Sequence, residues 1–159
     1  MTTKHYDAAT FNSRQSIGYL LKMAHMQLQD CANDVLAPHD ISFVQWLVML
    51  KLREGVASTA SDLCRAMRHD NGALTRVLDQ LEERGYLTRH RSVQDRRVVE
   101  LQLTAAGSEQ LDVLLPALMD RLNLVLGDFS TAEFAELTHL LNKLMACLGD
   151  HAAGSQTSP

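Results

Sequence analysis

Between residues 70 and 104 the chain reads Asp70-Asn-Gly-Ala-Leu-Thr-Arg-Val-Leu-Asp-Gln-Leu-Glu-Glu-Arg-Gly85, Tyr86-Leu-Thr-Arg-His90, Arg91-Ser-Val-Gln-Asp-Arg-Arg97 and Val98-Val-Glu-Leu-Gln-Leu-Thr104. The period of its apolar residues changes at Gly85. Before it, Leu74, Val77, Leu78 and Leu81 recur at three and four, the spacing of one helix face, while Asn71, Gly72, Thr75, Arg76 and Asp79 fall on the other side. Gly85 is the residue type that ends a helix. After it, Val99, Leu101 and Leu103 alternate as a strand does, and the polar turn at 91–97 separates this strand (98–103) from one that Tyr86, Leu87 and Thr88 begin. A second short helix, over 59–67, comes just before. Two short helices with a tight joint, the second polar on its outer side, predict a helix-turn-helix, and the hairpin that follows reads as a wing.

Working outward, Ile17, Leu20, Leu21, Ala24, Leu28, Cys31 and Val35 mark a long amphipathic helix over 12–36, with Met23 and Met26 as a second apolar flank, ending before Pro38. Ser42 and Gln45 form a capping box that opens a helix through Trp46, Leu47, Leu50 and Leu52, closed near Gly55. Downstream of the wing, Thr104 caps a helix to about residue 127, in which Pro116 predicts a kink or a break. Ser130 and Glu133 form a second capping box, and Phe134, Leu137, Leu140, Leu141, Leu144, Met145 and Leu148 mark a final helix. The predicted fold class is mainly α: a winged helix-turn-helix with long N- and C-terminal dimerisation helices, six helices and a two- or three-stranded wing in all. The terminal helices (12–36 and 104–148) carry more apolar surface than the winged domain (42–103) can cover. This predicts a homodimer built from the two chain ends, the alternative being a monomeric bundle that buries the same residues internally. Residues 1–11 and 149–159, small and polar, are expected to be flexible.

The totals narrow the class. With 159 residues the chain has the size of one domain, and a 46% hydrophobic but only 5% aromatic composition favours helices over strands. The opening MTTKHYDAATFNS has no apolar core behind a basic flank, and no apolar run approaches the roughly 20 residues of a membrane span, so neither a signal peptide nor membrane insertion is expected. Three cysteines, Cys31, Cys64 and Cys147, cannot all pair within one chain and read as reduced thiols of a cytoplasmic protein. The net charge of −4 argues against a nucleic-acid partner until its distribution is considered. Residues 58–104 hold eight arginines against seven acids, a net of +1, which leaves −5 for the rest. Within 88–97, four arginines stand against Asp95 alone. A basic spot on an acidic body suits a local phosphate contact.

The run Asn71 to Gly85, then Arg89, then Asp95-Arg-Arg97 and Leu103-Thr104, closely resembles the MarR family of transcriptional regulators. The likeness extends into Ile41-Ser-Phe-Val-Gln-Trp46 and Ser16-Ile-Gly-Tyr-Leu-Leu21, covering about residues 12–148. It implies a triangular dimer with interleaved terminal helices that binds double-stranded DNA at a pseudo-palindrome, probing it with two helices about one turn of DNA apart. The helix over 70–84 would enter the major groove, with Asn71, Gly72, Thr75 and Arg76 near bases and phosphates. The wing would reach the minor groove with Arg97, Asp95 pinning the wing backbone or that arginine, and His69, Arg91 and Arg96 are further candidates. A narrow minor groove favours arginine, and Gly72 permits close backbone approach.

The resemblance further implies release by a small effector, commonly a phenolic or aromatic acid, held where the DNA-binding lobe meets the dimerisation helices. Candidates are Ser16, Leu20, Met23, His39, Trp46 and Arg89, the last as a partner for a carboxylate. The zinc-sensing branch of the family relies on a histidine pair in the helix after the wing. Here that helix has no histidine, and no two of the seven histidines lie one helical turn apart, so no metal or other cofactor is expected; Cys31 with His39 and Asp40 is the residual set. A redox-responsive regulator using Cys31 or Cys64 is an alternative, although Cys31 stands near the end of the first helix, where the peroxide-sensing branch has its cysteine near the beginning. An enzyme is not expected: the chain lacks a Gly-rich phosphate loop, a nucleophile elbow and an HExxH pair. A winged module for protein contacts alone is the other rival; it would need neither Arg97 nor a salt-dependent affinity.

Overall fold

The computed structural model describes residues 4–68 and 70–154, with the backbone alone at 71 and 150–154. In chain order its elements are α1 (Ile17–Leu36), α2 (Phe43–Arg53), α3 (Ala60–Met67), α4 (Asn71–Glu83), β1 (Leu87–Arg91), β2 (Val99–Leu103), α5 (Ala105–Val125) and α6 (Thr131–Gly154). The strands pair antiparallel with Leu87 opposite Leu103 and Arg91 opposite Val99. A single bridge from Thr59 to Glu100 joins the start of α3 to β2. The mainly α winged helix-turn-helix expected from the sequence is the fold observed.

Local chemistry sets most boundaries. Ser42 and Gln45 make both bonds of their capping box, at 3.2 and 2.8 Å, and so do Ser130 and Glu133. Gly85, at φ 72°, closes α4 in the left-handed conformation that glycine adopts without steric cost. Elsewhere the structure departs from the sequence reading. The first helix starts at Ile17, not 12, because Ser16 accepts the Tyr19 amide as N-cap and a separate turn over Ser13–Gln15 precedes it. β1, expected to begin at 86–88 and to give way to the turn at Arg91, starts at Leu87 and keeps Arg91 in the strand: backbone pairing with β2 holds polar residues that their composition alone does not announce. No break occurs at Pro116, and α5 is continuous. The residue four back, Asp112, which loses its N–H partner, lies on the exposed side, where water can replace the missing bond. α6 continues beyond 148 to Gly154.

The chain divides into two compact units, Met1–Leu122 and Asn123–Pro159. The core belongs to the first. Leu36 of α1, Val48 and Met49 of α2, Leu63 of α3, Leu74, Leu78 and Leu81 of α4, Leu87 of β1 and Leu111, Leu114 and Leu118 of α5 are each at most 2% exposed. The apolar face of α1 is buried only at its end, at Ala32 and Leu36, while Ile17, Leu20, Leu21, Met26 and Leu28 are exposed. In the second unit no described residue of α6 is buried, and Phe134, Leu137, Leu140, Met145 and Leu148 form an exposed apolar stripe. No helix among the described residues is long and apolar enough to cross a membrane.

Candidate nucleic-acid interface

The helix-turn-helix is built from short-range bonds. Thr59 caps α3, and Asp62 answers by accepting from the Thr59 hydroxyl at 2.8 Å and the Thr59 amide at 3.1 Å. The Thr59 hydroxyl, followed by the Ser58 backbone, holds the Asp62 carboxyl below its ordinary pKa. α3 ends on Arg68, a non-glycine residue in the left-handed region at φ 48°, which turns the chain sharply into α4. Asp70 then caps α4, accepting from Gly72 N at 2.9 Å and Ala73 N at 3.1 Å. A Cβ at Gly72 would stand 3.2 Å from Asp70 Oδ1, so the first turn is tight against its cap.

α4 buries Leu74, Leu78 and Leu81 and exposes Gly72, Thr75, Arg76, Asp79 and Gln80. Of the other expected DNA contacts on this helix, Asn71 has only its backbone described, and His69 lies outside the described residues. The helix is pinned from behind by Gln45, itself 7% exposed, whose Nε2 donates to Gln80 Oε1 at 2.9 Å. At its end Arg84 donates to the carbonyls of His39 (3.1 Å) and Asp40, and its guanidinium lies 5.1 Å from the centre of the Tyr86 ring.

The wing is equally ordered. At its tip Ser92 N donates to Val98 O, and Val98 N to Asp95 O, both at 2.9 Å. Asp95 Oδ1 accepts the Arg97 amide at 2.9 Å. Arg91, Arg96 and Arg97 are exposed. At the base, Arg89 is clamped by two acids of α4, with Nη2 2.7 Å from Asp79 and Nη1 2.6 Å from Glu82.

The arginines thus fall into two groups. Arg53, Arg65, Arg84, Arg89 and Arg121 each have a carboxylate partner. Among the described residues Arg14, Arg68, Arg76, Arg91, Arg96 and Arg97 have none; all six are exposed, and apart from Arg14, which precedes α1, they stand at the α3–α4 joint, on α4 and on the wing. Arg68 was missed in the sequence reading. Its position at the joint between the two short helices was the available signal.

The six ligand candidates do not gather around one cavity. Ser16 is spent as a helix cap, Leu20 is 54% exposed on α1, Met23 is half-buried there, and Trp46 is core, stacked at 5.7 Å and tilted on Phe43. His39 is exposed, its Nδ1 3.4 Å from Gln110 Nε2. Arg89 already faces two carboxylates. A cleft with an open space of about 650 Å³ lies instead between the end of α1, the start of α2 and α4, lined by Asn33, Ile41, Gln45, Gln80, Glu83 and Arg84 among others. Cys31 and Cys64 are half-buried, Cys147 is exposed, and none forms a disulfide.

Comparison with known proteins bears on this geometry. The model of the MarR family matches residues 41–99, the span from just before α2 to the start of β2. The multiple antibiotic resistance protein MarR of Escherichia coli is 31% identical over 136 residues, 85% of this chain and 94% of that protein. The transcriptional repressor MprA of Escherichia coli is 32% identical over 128 residues, 78% of this chain and 73% of that protein. Among solved structures, a mutant Escherichia coli MarR complexed with operator DNA superposes with a TM-score of 0.77 at 29% identity, covering 85% of this chain and 97% of that one.

Proposed function

The chain belongs to the MarR family, and on that premise we propose that it is a dimeric repressor of transcription that binds a pseudo-palindromic double-stranded DNA site and is released by a small effector. The observation that carries the DNA-binding half is the partition of the arginines. In a chain of net charge −4, five of the six arginines without an acid partner among the described residues stand at the α3–α4 joint, on α4 and on the wing. Cations left unpaired in this way are free to neutralise phosphates. Asn71, Gly72, Thr75 and Arg76 would face the major groove, and Arg97, with Arg91 and Arg96, the adjoining minor groove.

Dimerisation is supported by α6. A helix this long, with no described residue buried and only Leu141 and Leu144 half-buried, gains little stability from its own chain, and its stripe from Phe134 to Leu148 calls for a second apolar surface. The exposed face of α1 extends the same demand. A second copy meets it and sets two α4 helices on one DNA, half-sites about one helical turn apart.

For the effector we infer a small aromatic acid. The cleft between α1, α2 and α4 is the space that would hold it: a ligand filling it would press on α4 through Gln80, Glu83 and Arg84, and its carboxylate would compete with Asp40 for the Arg84 guanidinium. Such a ligand releases DNA only to the extent that it binds the non-binding shape more tightly.

The test is a mobility-shift titration of the whole chain on the DNA upstream of its own gene at two salt concentrations. The expected affinity falls with salt, with a slope of about −0.9 per phosphate neutralised. Arg97→Ala should weaken binding several-fold and flatten that slope by about one phosphate without lowering the melting temperature. An affinity indifferent to salt would mark the wing as a protein-contact module and end the DNA-binding reading.

A further inference from the structure

Val93 stands at the tip of the wing with its whole surface exposed, 100% of it, beside exposed Arg91 and Arg96. Single exposed apolar residues are common, but this one is held out by an ordered frame. On one side Ser92, only 6% exposed, donates its amide to Val98 O at 2.9 Å and accepts the Gln94 amide on its hydroxyl at 3.3 Å. On the other, Asp95 takes the amides of Val98 and Arg97 on its backbone and side-chain oxygens. Flanked by pinned residues, Val93 cannot fold back onto the sheet without breaking these bonds. Arg91, Ser92, Val93 and Arg96 together line a shallow concavity of about 340 Å³. The tip is therefore an apolar point ringed by cations, with its one acid engaged by backbone amides.

We propose that Val93 is a specificity-determining contact that enters the minor groove and rejects guanine there, making an A·T step beside the recognition-helix site part of the target. The inference rests on the DNA-binding reading above and adds to it a residue and a sequence preference. The minor groove is a slot about 6 Å wide with phosphates on both rims. Arginines suit the rims, and a branched aliphatic side chain suits the floor of an A·T step, which carries no protruding donor. At a G·C step the guanine 2-amino group occupies that space, and an apolar neighbour leaves its N–H unpaired. Apolar side chains at minor-groove steps are an established way of reading shape.

The experiment uses the full chain and a duplex that it binds. Single A·T pairs in the tract flanking the α4 contact are changed in turn to G·C and to inosine·C, which removes the 2-amino group and leaves the remaining minor-groove edge. For the wild type, G·C at the wing step should weaken binding about tenfold and inosine·C should restore it. In Val93→Ala and in the near-isosteric Val93→Thr the G·C penalty should shrink to within about twofold, with unchanged melting temperature. A variant that still binds DNA and keeps the wild-type G·C penalty overturns the role of Val93 alone. A wild-type chain that shifts no duplex overturns the DNA-binding reading and this inference with it.

Discussion

Arg89 Nη1 donates to Glu82 Oε2 at 2.6 Å, tying the first strand of the wing to the helix before it. The same guanidinium reaches Asp79 with Nη2 at 2.7 Å, so one cation spans two carboxylates of α4. All three side chains keep some solvent contact, 28% for Arg89, 58% for Asp79 and 38% for Glu82, which limits what the pairs add to stability to about 1 kcal/mol. Their larger effect is positional and electrostatic. The clamp fixes the wing against α4 and neutralises two acids close to the proposed phosphate contacts.

Arg89→Ala should accordingly cost little in melting temperature and weaken DNA binding roughly tenfold, about 1.4 kcal/mol. Adding Asp79→Asn and Glu82→Gln to that variant should recover part of the loss, because the uncompensated charges disappear. Fluorescence anisotropy on one duplex decides the matter: a triple variant no better than Arg89→Ala means that charge neutralisation is not the reason.

Two glycines give opposite expectations. A Cβ at Gly107 would overlap the Tyr86 carbonyl oxygen and stand 2.8 Å from Leu103 Cδ1, where neither backbone nor sheet can yield cheaply. Gly107→Ala should destabilise the protein by about 1–3 kcal/mol, the usual range for overpacking. Gly18, on α1 with nothing within 4 Å, should tolerate alanine, with an effect between zero and a gain of about 1 kcal/mol. Urea unfolding of both variants provides the comparison, and equal midpoints would refute it.

Acid should loosen the start of α6. Glu133 accepts from the Ser130 hydroxyl at 2.7 Å and the Ser130 amide at 2.9 Å, and these bonds, the hydroxyl's first, hold its carboxyl below the ordinary 4.5. Because folding lowers this pKa, the stabilisation is complete above that ordinary value and is lost as pH falls through the lowered one. Glu133→Gln should remove this part of the acid response. Helicity followed from pH 7 to pH 3 should decline less in the variant than in the wild type, and coincident curves would contradict the assignment.

The stripe on α6 predicts oligomeric state. Leu137→Lys with Leu140→Lys places two charges on a face that we assign to the partner copy, and desolvating them there is costly. Sedimentation should show a monomer, with DNA affinity reduced at least tenfold as the second half-site contact is lost. A variant that remains a dimer would move the interface elsewhere.

Much of this protein was already written in short-range sequence. The Ser42–Gln45 and Ser130–Glu133 boxes, the stop at Gly85 and the two-residue alternation from Val99 to Leu103 all depend on groups within four residues of one another, so they could be read without a fold. That is why the order of helices and the wing came out as expected. The long-range facts had no such signature. Arg89 and Arg97 are identical in sequence and stand eight positions apart, yet only packing of β1 beside α4 gives the first two acid partners and leaves the second without any among the described residues. The ligand candidates came from the resemblance, and their surroundings lie beyond any local signature: Trp46 stands in the core, Ser16 caps a helix and Arg89 sits in the clamp. Local hydrogen bonds and periodicity determined which elements form. Which charges remain free, and which side chains line a common space, was decided only by tertiary structure, because Coulomb partners and cavity walls come from residues distant along the chain that folding brings together.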